Sequence, residues 1–155
     1  LFPYTTLFRS GSWKDSNLQI KCAREAVKLI KLYIDEKISF NQETTLSGKS
    51  IINNIKRAKQ KGYTIILNYI GVDNSETAKS RVDLRVRKGG HGIPHEHIER
   101  RYFESLENLS NIISICDEIN IYDNTDIFKL IMCIQQGKVV WKDDILPDWI
   151  KSIIN

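Results

Sequence analysis

The sequence has few cysteines and no long apolar run, and each of these absences excludes some classes of protein. Its 155 residues include only 3 cysteines, Cys22, Cys116 and Cys133, and no two of them form a C-x-x-C pair. An odd number of scattered cysteines excludes a disulfide framework and a cysteine-rich zinc site, and is typical of the reducing cytoplasm. No apolar run approaches the about 20 residues that a membrane-spanning helix requires. The sequence therefore predicts a cytoplasmic globular domain without a membrane segment.

The charge balance is too mild to identify a partner by itself. A total of 23 lysines and arginines against 19 acidic residues leaves a formal net charge of +4. The hydrophobic share of 41% and the charged share of 27% are those of a folded domain rather than of a disordered chain. A small positive excess does not indicate nucleic-acid binding unless the basic residues are clustered.

The first residues differ from the rest of the chain. Residues 1–12 (LFPYTTLFRSGS) have neither the early positive charge nor the cleavage site of a signal peptide. They resemble translated sequencing-adapter read-through, and the alternative is a disordered native N-terminus. Residues 1–15 are therefore expected to be a non-native or disordered leader, and residues 16–155 the folded part.

Periodic apolar positions predict helices that alternate with short strands. Helices are expected where apolar residues recur every three or four positions, at 16–37, 47–62, 75–88, 94–113 and after Pro147. Strands are expected where β-branched and aromatic residues cluster, at 38–40, 63–70, 119–122, 127–134 and 138–141. The nearly continuous apolar run at 63–70 (YTIILNYI) predicts a buried parallel strand. This alternation indicates an α/β fold with a parallel sheet, flanked by helices, and a C-terminal antiparallel hairpin.

Residues 47–50 (SGKS) have the last letters of a phosphate-binding loop but lack its first glycine. The motif G-x-x-x-x-G-K-[ST] requires glycine at position 43, which is Glu43. The stretch is better explained as the start of a helix with Ser47 as its N-cap. Glu43 and Thr45 would then follow the strand at 38–40, where open α/β sheets bind ligands. Glu43 could order a magnesium-bound water and Thr45 could bind a ligand, or both could lie in an exposed turn.

Residues 81–101 contain the densest positive charge. Arg81, Arg85 and Lys88 share one side of a helix, and Arg100 and Arg101 lie in the next helix, beyond a glycine-rich hinge. The planar guanidinium donates two parallel hydrogen bonds to a phosphoryl group. Two interpretations stay open, namely closure of the two helices over an anion and a solvated basic face paired with nearby glutamates.

The three histidines of this region do not predict a metal site. His95 would begin the motif H-E-x-x-H, but position 99 is Glu99. In a helix that begins at Pro94, His95 and His97 point in different directions. No metal ligand is therefore assigned.

Several stretches, taken together and in order, resemble the zeta-toxin-like P-loop kinases. They are FNQETTLSG at 40–48, AKQKGY at 58–63, RVDLRVRKGGHGIP at 81–94, RRYFESLENL at 100–109 and YDN at 122–124. The similarity covers residues 17–142, and the combination is specific although no single stretch is. It implies an incomplete P-loop NTPase-type parallel sheet and a phosphotransferase that depends on ATP and Mg²⁺.

The resemblance also implies an acceptor, a partner and a set of site residues. Zeta toxins phosphorylate the sugar of UDP-N-acetylglucosamine and are held inactive by a small antitoxin, so the acceptor expected here is a small-molecule hydroxyl, with a UDP-amino sugar as one candidate. The residues implied are catalytic Glu43, Arg85 and Arg101, acceptor-binding Thr45, and ATP-binding Arg81, Arg100 and Asn124.

The phosphate-binding loop and catalytic aspartate of the family lie upstream of the ETT stretch, and residues 1–38 supply neither. The resemblance therefore implies that residues 16–155 are the C-terminal part of a kinase domain, with little activity alone. The alternative is a non-catalytic module that binds nucleic acid or an antitoxin through residues 81–101. Interleaved acidic residues and the lack of aromatic residues among the arginines weigh against nucleic acid, and neither nucleic acid nor a membrane is expected as a partner.

Overall fold

A computed structural model of the chain describes residues 16–151 and residue 153, so the leader expected at 1–15 lies outside the described residues. The chain divides into two compact units, Leu1–Gln42 and Glu43–Asn155. The described part of the first unit contains helix α1, Ser16–Asp35, where the sequence predicts a helix. None of the described helices is long and apolar enough to cross a membrane.

The strand predicted at 38–40 does not form, and that prediction is wrong. Helix α1 ends in a turn in which the Ile38 amide donates to the Tyr33 carbonyl at 2.9 Å and Lys37 has a φ of 56°. The rings of Tyr33 and Phe40 then pack with their centroids 5.7 Å apart. Among the described strands none pairs with this segment, so it has no ladder of hydrogen bonds to keep it extended.

The second unit is built on a four-stranded sheet. Its strands, in chain order and also in spatial order, are β1 (Ile66–Gly71), β2 (Glu118–Asp123), β3 (Lys129–Gln135) and β4 (Lys138–Lys142). Strands β1 and β2 are parallel, whereas β2–β3 and β3–β4 are antiparallel. The predicted mixed α/β fold with a C-terminal antiparallel hairpin is therefore confirmed.

In the described part of this unit, four helices accompany the sheet, close to the predicted positions. They are α2 (Lys49–Gln60), α3 (Ser75–Arg87), α4 (His95–Ile112) and α5 (Asp148–Lys151). The N-cap of helix α2 is Gly48, so the helix start has no side-chain capping hydrogen bond. The expected Ser47 cap is therefore wrong. The Ser47 hydroxyl lies instead 2.8 Å from that of Thr45.

Helix α3 has a cap at each end that the sequence predicts. At its start the Asn74 carbonyl oxygen accepts a hydrogen bond from the Thr77 amide at 2.8 Å. At its end Gly89 has a φ of 85°, and the Gly90 amide donates to the Arg85 carbonyl at 2.9 Å. Glycine is favoured there because this left-handed conformation is strained for other residues.

The core of the second unit lies against one face of the sheet. It contains apolar residues of α2, α4, α5 and the inner face of the strands, among them Ile51, Tyr69, Ile112, Ile119, Ile121, Met132 and Trp149. On the other face of β1, Ile66 and Ile70 are 59% and 56% exposed. The predicted parallel strand is confirmed, but its predicted burial is wrong, because the described residues cover only one face of β1.

Candidate functional site

The segments that follow β1 and β2 are joined at the carboxyl edge of the sheet. The Asn124 amide donates to the Gly71 carbonyl at 2.9 Å, which continues the parallel pairing beyond both strands. The Asp73 amide donates to the Thr125 hydroxyl oxygen at 3.0 Å, and this hydroxyl donates to Asp123 at 2.8 Å. Open α/β sheets bind ligands beyond the carboxyl ends of their strands. This edge is therefore the candidate site.

Arg81 brings helix α3 to this edge. Its Nη2 donates to the backbone carbonyl of Asn124, and to that of Thr125 at 2.7 Å. The structure thus places two of the expected ATP-binding residues, Arg81 and Asn124, in direct contact. In this arrangement the guanidinium fixes the loop that follows β2.

Two tyrosines attach helix α4 to β1 and to the segment after it. The Tyr102 hydroxyl donates to the carbonyls of Val72 and Asp73, each at 3.1 Å, and the Tyr69 hydroxyl lies 3.0 Å from that of Ser105. Burial is the main cause that raises the pKa of Tyr102 to about 12, and burial also raises the pKa of Tyr69. Both phenols therefore keep their protons at neutral pH.

Glu43 and Thr45 lie in an irregular stretch, residues 43–48, which we call the ETT segment. The Leu46 amide donates to the Thr44 hydroxyl oxygen at 3.0 Å, which tightens the segment into a local turn. The exposed carboxylate of Glu43 makes no hydrogen bond or ion pair with any described residue. Because no strand precedes the segment, Glu43 does not lie at a strand end as expected. Its role stays a prediction from the family resemblance.

Helix α4 holds the ETT segment through two side chains. The Asn108 amide nitrogen donates to the carbonyls of Leu46 and Gly48, at 2.8 and 3.4 Å. The Gly48 amide donates to Glu104 Oε2 at 3.2 Å, and Arg100 Nη1 donates to Glu104 Oε1 at 2.7 Å. Arg100, expected to bind ATP, is therefore connected to the expected acceptor segment through a single carboxylate.

The two arginines expected to be catalytic differ in their surroundings. Arg85 Nε donates to the His91 carbonyl at 3.0 Å, which closes the loop between α3 and α4. Arg101 is half-buried and makes no hydrogen bond or ion pair with the described residues. Within the described chain no hydrogen bond or ion pair joins Glu43 to either arginine.

An ion pair and a histidine–aspartate contact join helices α3 and α4 as a hairpin. Lys79 contacts Glu76 and Glu99, each at 2.7 Å, and His95 Nε2 lies 2.9 Å from Asp83. In the part of the chain that the structure describes, no group of three or more histidine, cysteine and acidic side chains could hold a metal ion.

Sequence reasoning missed several groups that build this edge. The sequence patterns give no role to Asp73, and Tyr102 occurs only within the family-like stretch at 100–109. Asp123 and Thr125 flank Asn124 along the chain. Polar residues directly after each of two parallel strands were the signal that could have identified them, because such residues meet at one edge of the sheet.

Comparison with known protein families identifies the family to which the chain belongs. The family model described as Zeta toxin matches residues 10–133, which is most of the chain. The chain therefore belongs to the zeta toxin family. No solved structure shows significant similarity to it.

One curated relative supports a shared domain without indicating an activity. An uncharacterized protein of Haemophilus influenzae (strain Rd) is 41% identical over 83 residues. This similarity covers 54% of the present chain and 59% of the relative. The chain therefore spans less than two thirds of the length of the curated relative that it matches.

Proposed function

We propose that the protein to which this chain belongs is a kinase that transfers a phosphoryl group from ATP to a hydroxyl of a small molecule. A UDP-amino sugar is the first acceptor to test, because the sequence resembles the zeta toxins. The observation that carries the proposal is the bonding of Arg81 to the loop that contains Asn124, at the carboxyl edge of the parallel strands. Membership of the zeta toxin family supports the same conclusion.

ATP and Mg²⁺ are the cofactors of this proposal, and the described residues have chemistry that fits both. Arg101 offers a half-buried guanidinium without a protein partner among them, which suits a phosphate group. Mg²⁺ is usually bound by one or two carboxylates together with substrate phosphates, and Glu43 offers one exposed carboxylate. The chemistry that Mg²⁺ supplies in such sites is neutralisation of the charge on the transferred group.

Each site residue has a distinct role in the proposal. Glu43 lies near Mg²⁺ and the acceptor, Thr45 hydrogen-bonds the acceptor, and Arg85 and Arg101 stabilise the charge on the phosphoryl group. An arginine of this kind contributes about 10³–10⁵ in rate, or about 4–7 kcal/mol of barrier. The residues that hold ATP are Arg81, Arg100 and Asn124.

We further propose that the 155-residue chain has little activity by itself. Its sequence contains no G-x-x-x-x-G-K-[ST] motif. Without the backbone amides and the lysine of that loop, the β- and γ-phosphates have no preorganised site. Isothermal titration of the chain with ATP and Mg²⁺ is therefore expected to detect no binding in the micromolar range. Micromolar affinity would refute this part of the proposal.

The kinase activity is tested on the complete gene product that contains this sequence. Purified protein is incubated with Mg²⁺ and γ-labelled ATP, with UDP-N-acetylglucosamine, UDP-glucose or N-acetylglucosamine as the acceptor. We expect label in a small-molecule product. Absence of transfer to any hydroxyl acceptor would contradict the proposal.

Matched variants separate the site from the rest of the surface. Glu43→Gln and Arg101→Met are expected to lower the rate by at least about 10³-fold. Glu107→Gln and Arg87→Met remove the same charges from exposed positions on α4 and α3 and should leave the rate unchanged. Equal losses in both pairs would show that charge, rather than position, matters.

The alternative of a nucleic-acid-binding module gains less support. Arg81 and Arg85 already donate to backbone carbonyls and Arg100 is paired with Glu104, so the protein itself engages part of the basic stretch. An antitoxin protein is the partner that the family resemblance implies, and we propose it together with a cytoplasmic location. Co-purification of the complete protein with the product of a neighbouring small gene tests this partner.

A further inference from the structure

The ETT segment has a backbone conformation that needs outside support. Leu46 has a φ of 53° and Gly48 a φ of 81°, and the left-handed region is strained for a leucine. The Leu46 side chain is only 2% exposed and belongs to the core. The buried side chain therefore fixes Leu46 to the core. The Leu46 backbone carbonyl then needs a hydrogen-bond donor from another element.

Helix α4 supplies that support from one side. Residues 100, 104 and 108 are spaced by four positions, which places Arg100, Glu104 and Asn108 in a row along the helix surface. Asn108 donates to the carbonyls at both ends of the strained turn, Leu46 and Gly48. These partners are 62 and 60 residues away in the sequence, so the contacts are tertiary and not part of a local turn.

Glu104 contacts the ETT segment and the arginine at the same time. One carboxylate oxygen accepts from the Gly48 amide at 3.2 Å, and the other accepts from Arg100 at 2.7 Å. Because one carboxylate serves both groups, a shift of the Arg100 side chain moves the acceptor on which the Gly48 amide depends.

From these contacts we infer that Asn108 and Glu104 are positioning residues of the phosphotransfer site. Asn108 holds the ETT segment in the conformation that presents Glu43 and Thr45, and Glu104 couples that segment to Arg100. This inference rests on the proposed function, in which Thr45 binds the acceptor and Arg100 binds ATP. Neither positioning residue touches a reacting atom.

The first test needs no activity and uses the 155-residue chain. Asn108→Asp preserves the shape of the side chain but replaces its donor by a carboxylate oxygen that cannot donate to the two carbonyls. We expect the amides of Leu46 and Gly48 to exchange with deuterium about tenfold faster, with unchanged exchange in strand β2. Asn111→Asp makes the same substitution at an exposed position of α4 and should change neither.

Two results of this exchange measurement would overturn the inference. Unchanged exchange at both amides would mean that Asn108 does not hold the segment. Equal acceleration in β2 would mean that Asn108 stabilises the whole unit rather than the ETT segment.

The second test uses the complete, active protein and separates the two substrates. Asn108→Asp is expected to raise KM for the acceptor about tenfold while KM for ATP stays within about twofold. Glu104→Gln should raise both KM values, because Arg100 loses the carboxylate that holds it. An unchanged acceptor KM in Asn108→Asp would contradict the inference, and so would equal increases of the KM values for acceptor and ATP in that variant. If the unmodified protein transfers no phosphate, the proposed function fails, and the exchange measurement still decides whether Asn108 holds the segment.

Discussion

Gly71 is the glycine at which one added methyl group is expected to lower the free energy of unfolding most. It is the last residue of β1, and a Cβ built on it would lie within 2.7 Å of three ring atoms of Trp149, whereas ordinary contact begins at 3.4 Å. The Trp149 indole is 6% exposed, and its Nε1 donates to Asp123 at 3.0 Å. In Gly71→Ala the ring must therefore move by about 1 Å or the strand end must shift, and overpacking of this kind costs about 1–3 kcal/mol.

Urea unfolding followed by circular dichroism measures this effect. Replacing glycine by alanine within a strand stabilises by about 0.5–1 kcal/mol, because alanine has less conformational freedom in the unfolded chain. We therefore expect a net decrease of about 1–2 kcal/mol in the free energy of unfolding. The melting temperature should fall by about 2–4 °C for each kcal/mol. In a Trp149→Leu background, which removes the contacting ring atoms, the same glycine substitution should leave the free energy of unfolding unchanged or raise it by up to about 1 kcal/mol. An unfolding midpoint equal to that of the unmodified chain would refute the packing described here.

Two further predictions concern Arg81 and Asp117. Arg81→Met removes the hydrogen bonds to the carbonyls of Asn124 and Thr125, so the unfolding free energy should fall by about 1–2 kcal/mol, and KM for ATP should rise in the active protein. Unchanged values of both would contradict the role of Arg81 in ordering this loop. The hydrogen bond from Lys59 is the main cause that lowers the pKa of Asp117 from 3.8 to about 2. This contribution to the free energy of unfolding is present above about pH 4 and is lost as the pH falls toward 2. Asp117→Asn should therefore lower the free energy of unfolding by about 1 kcal/mol at pH 7, after allowance for partial exposure. At pH 2 the same substitution should change it very little. A cost that does not depend on pH would show that the charge of Asp117 is not its source.

Local signals in the sequence predicted most of the elements of the second unit. The hairpin from β3 to β4 follows from apolar residues on either side of Gly137, which has a φ of 73°. The start of α3 follows from Asn74 and its end from Gly89, because caps depend on residues within one turn of the helix. Such features need no knowledge of the rest of the chain.

Features that depend on distant partners could not be predicted in the same way. The stretch at 38–40 has strand-like residues, but a strand forms only where another strand pairs with it, and propensity carries no information about pairing. The exposed face of β1 depends in the same way on how the helices are distributed. The contact of Asn108 with Leu46 joins residues 62 positions apart, and no periodicity connects them.

Four arginines of residues 81–101 show why clustered basic residues in a sequence are not equally available to bind an anion in the folded protein. Arg81 and Arg85 donate to neutral carbonyls, which uses part of their hydrogen-bonding capacity but leaves their charge in place. Arg100 is paired with Glu104, so an anion that binds it must compete with a carboxylate. Arg101 has neither kind of partner among the described residues. The four side chains therefore differ in how readily they can turn to a phosphate group, although the sequence presents them as one cluster. Of these four arginines, Arg101 is the one that donates no hydrogen bond to a described residue, so its whole guanidinium is available to an anion.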